Sequence, residues 1–264
     1  MTSAGVRSLG ELTFIEVSQR LQQTSILCLP LGAIEQHGAH LPLNTDVIIA
    51  EAFSRRIVAR WGDRFDMWQL PSIALGLSRE HDWAPGTLSL SLQNFVALLR
   101  NVGGEIVRAL PARNLVIVNG HGGNRGVLEN LMHELAGDFE LNACAIHPFD
   151  LAGGDVEANG LDVHGGKSET SVMLVLAPDL VRRAMLEPNA GPPDREKAAG
   201  LIFDRGASFP WRSDDARLAA NGVIGDAQAA TPEFGEAIIE RAVERSRGVL
   251  ERLLENQRVL RARR

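Results

Sequence analysis

Short apolar runs alternate with longer segments at helical period along most of this chain, and no other feature constrains its fold so tightly. "SILCLPLG" (Ser25–Gly32) is a continuous apolar run of strand length, and "VIIAEAFSRRIVARWG" repeats its apolar residues at helical spacing. "MWQLPSIALGLS" is a weaker strand, interrupted by Pro71. "LQNFVALLRNVGGEIVRAL" reads as a helix in spite of its two central glycines. "NLVIVNG" (Asn114–Gly120) is the clearest strand, and the helix "NRGVLENLMHELAG" follows it and stops at a glycine. "NACAIHPFDL" reads as strand then turn, "SETSVMLVLAPDLVRRAM" opens another helix, and a long amphipathic helix runs from Pro232 onward. Residues 188–232, rich in Pro, Gly, Asp and Ala, read as loops around short elements. Apolar strands separated by helices imply a largely parallel sheet covered on its faces, an α/β fold. With no internal repeat and no linker, residues 1–264 are expected to form a single domain.

Composition narrows the function classes. A net charge of −6 speaks against nucleic acid or an anionic membrane as partner. The basic tail Arg258–Arg264 reads as a solvated helix end, where cations suit the macrodipole. No apolar run approaches the roughly 20 residues of a membrane span, and the N-terminus shows no secretory signal. Cys28 and Cys144 each sit inside a strand-like run with no disulfide or metal spacing, as buried free thiols do in a reducing compartment. A cytoplasmic enzyme or binding protein is the expected class. The chain has no tyrosine, so no phenol serves as acid or base, and Lys167 and Lys197 are the only candidates for a Schiff base.

Three segments carry the chemistry: "EQHGAHLPLNTD" (Glu35–Asp46), "NGHGGN" (Asn119–Asn124) and "DVHGGKSETS" (Asp162–Ser171). In parallel sheets ligands bind beyond the carboxyl ends of the strands. Glu35, His37, His121 and His147 all follow strand-like runs, while Asp46 and Glu169 open the helices after them. Hard carboxylates mixed with imidazoles, and no thiolates, suit Zn, Mn or Fe(II). A pair of ions about 3.5–4 Å apart needs a bridging carboxylate. Asp46 is the natural bridge, with Glu35 and His121 on one ion and His37 and Glu169 on the other.

Each piece alone has a plainer reading. "NTD" reads equally well as a helix N-cap. "NGHGGN" reads as a tight turn or anion cradle, although it lacks either nucleotide fingerprint. Glu169 at a helix start suits the dipole. Five such residues at strand ends of one α/β unit favour the metal site. Among the other histidines, His133 is expected on a helix surface and His147 in a structural role. His81, beside Trp83, is a candidate for orienting substrate. His164 is the candidate for proton transfer, because imidazole titrates near neutrality.

In this order and spacing the segments resemble the creatininase (creatinine amidohydrolase) family. "GAIEQHGAHLPLNTD", "GLSREHDWAPGTLSL", "VNGHGGNRG", "DVHGGKSETSVMLVLAPDLV" and "GVIGDAQAATPEFGEAI" all look like family blocks, from about Leu29 to the final helix. The resemblance implies a three-layer α/β/α fold, a homohexamer and a dinuclear centre. Glu35, Asp46 and His121 would hold one ion, and His37 and Asp46 the second. In creatininases proper a glutamate at the position of Gly123 completes the second site, and here Glu169 is expected to replace it. The tyrosine and tryptophan that enclose creatinine have Gly122 and Leu161 at about their places, so creatinine is not the expected substrate. The "NGHGGN" branch is similar to formamide-hydrolysing deformylases of flavin and deazaflavin biosynthesis and to the mycofactocin-precursor peptidase.

The implied activity is hydrolysis of a C–N bond in a small-molecule amide by a hydroxide bridging two divalent ions, Zn with Zn, Mn or Fe(II). His164 or a nearby carboxylate would protonate the leaving nitrogen, with His81 and Trp83 seating the substrate. Two other classes stay open: a sugar- or nucleotide-binding module whose affinity survives a chelator, and a non-catalytic interaction protein.

Overall fold

The structure, a computed structural model, describes residues 7–153, 161–186, 195–203, 206–219 and 221–262. Its strands are β1 (Ile26–Leu31), β2 (Met67–Gln69), β3 (Asn114–Asn119) and β4 (Asn142–Ile146). Its helices are α1 (Phe14–Arg20), α2 (Thr45–Phe65), α3 (Leu92–Ala109), α4 (Arg125–Phe139), α5 (Pro148–Ala152), α6 (Lys167–Leu176), α7 (Arg195–Phe203) and α8 (Pro232–Ala262). The strands form one sheet in the order β2-β1-β3-β4, parallel throughout. Ile26 lies level with Asn114, and Asn114 with Asn142, so the carboxyl ends of the central strands finish together.

Every residue of β1 and β3 is buried, as a sheet covered on both faces requires. Successive side chains alternate between two cores. Ile26, Cys28, Val116, Val118 and Ile146 pack under α2, α6 and α8, against Phe53, Ile57, Met173, Ile239 and Leu250. Leu27, Leu29, Leu31, Leu115 and Ile117 pack under α3 and α4, against Phe95, Leu99, Leu128 and Leu135. Helices, sheet and helices make the three layers.

Prolines explain where elements depart from the sequence expectation. β2 stops at Gln69 ahead of Pro71, and the rest of the weaker strand meets β1 through the Leu70 amide on the Cys28 carbonyl and a bridge between Leu31 and Ile73. Pro178 ends α6 at Leu176, so "APDLVRRAM" becomes two 3₁₀ turns, Pro178–Leu180 and Arg183–Met185, rather than more helix. After β4, Pro148 takes the first helical position of the short α5 where a turn was expected. Within 188–232, α7 is the α-helical element of the described residues, and residues 188–194, 204–205 and 220 lie outside them. Both cysteines are free; Cys28 is fully buried and Cys144 half-buried. No helix among the described residues is long and apolar enough to cross a membrane.

Two glycines set the entry of α2. Gly32 and Gly120 directly follow β1 and β3. A Cβ on Gly32 would stand 2.6 Å from the Val47 amide nitrogen, and one on Gly120 would overlap the Asp46 carbonyl oxygen. Only bare backbone lets the first turn of α2 sit in the notch between the two strand ends.

Candidate metal centre

The loop from β1 to α2 folds back on itself: the Glu35 amide donates to the Leu43 carbonyl, and the Thr45 amide and hydroxyl both donate to Pro42. Asn44 is the N-cap residue but makes no side-chain cap bond. The capping reading of "NTD" therefore does not describe Asp46, whose carboxylate is buried at the carboxyl edge of the sheet. His121 arrives from the end of β3, its loop held by Asn119, whose amide group donates to the His121 carbonyl at 2.6 Å. Glu169 comes from the first turn of α6 and accepts the Gly165 amide at 2.6 Å.

These residues converge. Glu35 Oε1 lies 3.2 Å from His121 Nδ1 and 3.5 Å from both His81 Nε2 and His164 Nδ1. Asp46 reaches two ways, Oδ2 to His121 Nδ1 at 3.2 Å and Oδ1 to His37 Nε2 at 3.1 Å. Glu169 Oε2 is 3.7 Å from His37 Nε2. Candidate ligand atoms gather in three overlapping groups: Glu35 with Asp46 and His121, His37 with Asp46 and Glu169, and Glu35 with His37 and His164. Among the described residues, both Glu35 oxygens and Asp46 Oδ2 are buried and make no hydrogen bond. Buried carboxylate oxygens left that way are costly unless a cation neutralises them.

The imidazoles are oriented to match. His37 Nδ1 faces the Glu35 carbonyl at 3.2 Å, His121 Nε2 the Leu77 carbonyl at 2.5 Å, and His164 Nε2 the Gln36 carbonyl at 2.6 Å. A carbonyl only accepts, so in the neutral ring those nitrogens carry the proton. The opposite nitrogens then turn lone pairs toward the carboxylates. Lone pair against lone pair is stable only with a proton or a cation between, and carbonyl-anchored imidazoles are how proteins hold metals. Carboxylates and imidazoles without thiolate fit ions such as zinc or manganese.

The charges respond in kind. Burial opposes the imidazolium form of His37, but Asp46, Glu169 and Glu35 outweigh it and raise its pKa to about 10. His121 is likewise raised, against burial, by Glu35 and Asp46. Burial works against the Asp46 carboxylate, yet His37 and His121 hold it below the usual range. Burial pushes Glu169 up to about 7, His37 partly offsetting it. His164 falls well below the usual imidazole value, through burial and then the charge of His37, and is neutral. Its ring lies between His37 and His81, with centroids 4.3 and 3.9 Å away. With Nε2–H spent on Gln36, its Nδ1 is a proton acceptor.

The remaining sequence candidates sort by place. His40 is buried apart from the centre, 2.8 Å from the Thr170 hydroxyl. His133 is exposed on α4. His147 touches Asn119, 3.1 Å from its amide nitrogen, and joins none of the three ligand groups. Gly123 has no room for a side chain: a Cβ would lie 2.5 Å from both Glu80 Oε1 and His121 Nε2. The Glu80 carboxylate borders that space, 3.6 Å from His121 Nε2, its pKa raised chiefly by burial. Glu80 was not among the sequence candidates, and the one signal for it is its position next to His81 in "SREHDW". The centre opens into a cleft of about 1680 Å³, with apolar walls from Phe149, Leu161, Val163, Ile202, Phe209 and Trp211.

Comparison with known proteins identifies the family. The creatininase family model, described as creatinine amidohydrolase, matches residues 10–250. A mycofactocin precursor peptide peptidase of Mycobacterium ulcerans is 34% identical over 244 residues, covering 89% of this chain and 88% of that protein. A creatinine amidohydrolase of Pseudomonas putida is 31% identical over 267 residues, covering 89% of this chain and 93% of that protein. A solved creatininase mutant of Zn-Zn type superposes with a TM-score of 0.75 at 28% identity, covering 96% of this chain and 99% of that one. This chain belongs to the creatininase (creatinine amidohydrolase) family.

Proposed function

We propose that the chain hydrolyses a C–N amide bond at a dinuclear centre, in which Glu35, Asp46 and His121 hold one divalent ion and His37, Asp46 and Glu169 the other. The observation that carries this reading is the set of buried carboxylate oxygens that make no hydrogen bond among the described residues, faced by imidazole nitrogens whose opposite N–H groups are spent on carbonyls. Zinc with zinc, manganese or iron(II) would supply Lewis acidity and a water acidic enough to ionise near neutral pH. The chain's own residues bind, orient and move protons. Asp46 offers one oxygen to each side. His164 Nδ1 accepts a proton beside Glu35 and can return it to the leaving nitrogen. His81 borders the cleft and helps seat the substrate, while Trp83, expected beside it, bonds Ser213 and is not among the lining residues; the apolar walls exclude bulk water.

The preferred substrates are non-peptide amides and formamides. A peptide end is the second reading. The cleft exceeds the roughly 300–1,000 Å³ typical of drug-sized ligands, and one relative carries a peptidase name. Creatinine would leave such a cleft mostly unfilled. A homo-oligomer in the cytoplasm is part of the same proposal, with the two free cysteines suiting a reducing compartment and sedimentation velocity testing the assembly.

Metal content by plasma mass spectrometry tests the centre. Protein purified without chelator should carry about two ions per chain, with both lost in Asp46→Ala and one in Glu169→Ala. Metal content far below this and unchanged in both variants would refute it. Amides, formamides and short peptides are then compared as substrates.

A further inference from the structure

His81 differs from the other three histidines of the centre in what its outer nitrogen meets. His37, His121 and His164 each face a carbonyl; His81 Nδ1 faces donors. It lies 3.0 Å from Gln36 Nε2 and 2.8 Å from the Ser213 hydroxyl. The Gln36 amide can be oriented from backbone groups alone. Its Oε1 is 2.9 Å from the Gly38 amide, which only donates, and its Nε2 is 3.0 Å from the Gly222 carbonyl, which only accepts. One Gln36 proton goes to Gly222, and the other faces His81 Nδ1 at 3.0 Å, with the Ser213 hydroxyl oxygen a longer acceptor at 3.3 Å. The Ser213 hydroxyl accepts the Trp83 indole N–H at 2.9 Å, which leaves its own proton for His81 or for the Glu80 carbonyl 3.3 Å away. A proton on His81 Nδ1 would meet the Gln36 N–H head on.

We propose that Gln36 and Ser213 are positioning residues that hold His81 as a neutral imidazole with its proton on Nε2, aimed into the carboxylate centre as a hydrogen-bond donor. Nε2 stands 3.5 Å from Glu35 Oε1, so this N–H is turned toward the carboxylates of the centre, on the side where the cleft reaches His81. The ring is 2% exposed and stacked on His164, which fixes its plane. Three histidines thus offer lone pairs and one offers a proton, the arrangement that stabilises negative charge developing on a carbonyl oxygen. Ser213 belongs to the segment 206–219, far from Gln36 in sequence, and it ties that segment to the His81 turn through its amide on the Glu80 carbonyl at 2.9 Å. Gly222 completes the cradle; a Cβ there would lie 2.8 Å from Gln36 Oε1.

The donor assignment rests on hydrogen-bond geometry; its use in hydrolysis rests on the function proposed above. The test is nitrogen NMR of zinc-supplemented protein labelled in its histidines, with His81→Ala assigning the His81 signals. The expected spectrum shows Nε2 protonated and Nδ1 bare. Gln36→Glu replaces the donor with an acceptor, and the proton is expected to move to Nδ1 with zinc content unchanged. A protonated His81 Nδ1 in the wild type overturns the proposal, whether or not Gln36→Glu folds. Retention of the Nε2 proton in a folded Gln36→Glu overturns the role of Gln36. Absence of bound zinc would refute the dinuclear hydrolase instead, and the tautomer would still be read.

Discussion

Cys28 and Glu35 lie a few residues apart, both fully buried, yet burial means different things for them. A thiol responds by staying neutral. Burial pushes Cys28 to about 12, with the Ser54 hydroxyl 3.1 Å from its sulfur opposing only slightly, and Cys144 likewise rises to about 12. Neither thiol is therefore expected to react with iodoacetamide in folded protein up to pH ~9, while unfolding in urea should expose both; intact-mass analysis distinguishes the two. Glu35 instead sits among imidazoles with no hydrogen bond of its own, which is how a ligand behaves. Glycine matters at this scale too. Gly120→Ala forces a methyl group against the Asp46 carbonyl and is expected to cost about 1–3 kcal/mol, measured by urea denaturation, and to weaken metal retention through Asp46. The clustering of Glu35, His37, Asp46, His121 and Glu169 could be read from the sequence because each is a polar residue just past an apolar run or at the head of a helix. Glu80, Gln36 and Ser213 could not. Their roles arise where three loops meet, and no local pattern records that meeting.

At the scale of elements, α2 joins the centre to the core. Its first turn carries Asp46, and Phe53, fully buried, packs on the sheet and edge-on against Phe149 with ring centroids 6.3 Å apart. Phe53→Ala is expected to destabilise by about 3–5 kcal/mol, read from the shift in the urea midpoint. The same helix pairs with α8 through Arg56–Glu236, Arg60–Glu244 and Arg64–Glu251 at 3.1, 2.7 and 3.0 Å. All six side chains are at least 40% exposed. Arg60→Met is expected to change stability by less than about 1 kcal/mol, so the apolar face, not the charge ladder, holds α8. Strands buried on both faces and helices with clear periodicity were visible in the sequence. β2 was visible only in part, because an edge strand of three residues ended before a proline carries too little pattern.

For the whole molecule, the centre links metal, protons and stability. In chelator-treated protein His37, raised from 6.5 to about 10, adds stability that is fully present below pH 6.5 and lost as the pH rises through about 10. The melting temperature without metal should fall over that window, and the metal-loaded protein should resist the fall. Ions entering the proposed site would displace the protons that nearby carboxylates favour on His37 and His121. Adding zinc to chelator-treated protein at pH 7.5 should therefore acidify a weakly buffered solution, and an indicator dye reads it. A constant pH on saturation would contradict the ligand assignment.

The notch made by Gly32 and Gly120 has a consequence for how such proteins diversify. The Asp46 carboxylate is carried by the turn of α2 seated in the notch of the sheet, whereas the cleft walls come from separate later segments around Phe149, Leu161, Ile202 and Trp211. Frame and lining can therefore vary independently, as a lathe keeps its spindle while the jaws are exchanged. Changes in the lining can alter which molecule fits without disturbing the ligand cluster, whereas a single methyl group at either glycine presses on the turn that carries Asp46.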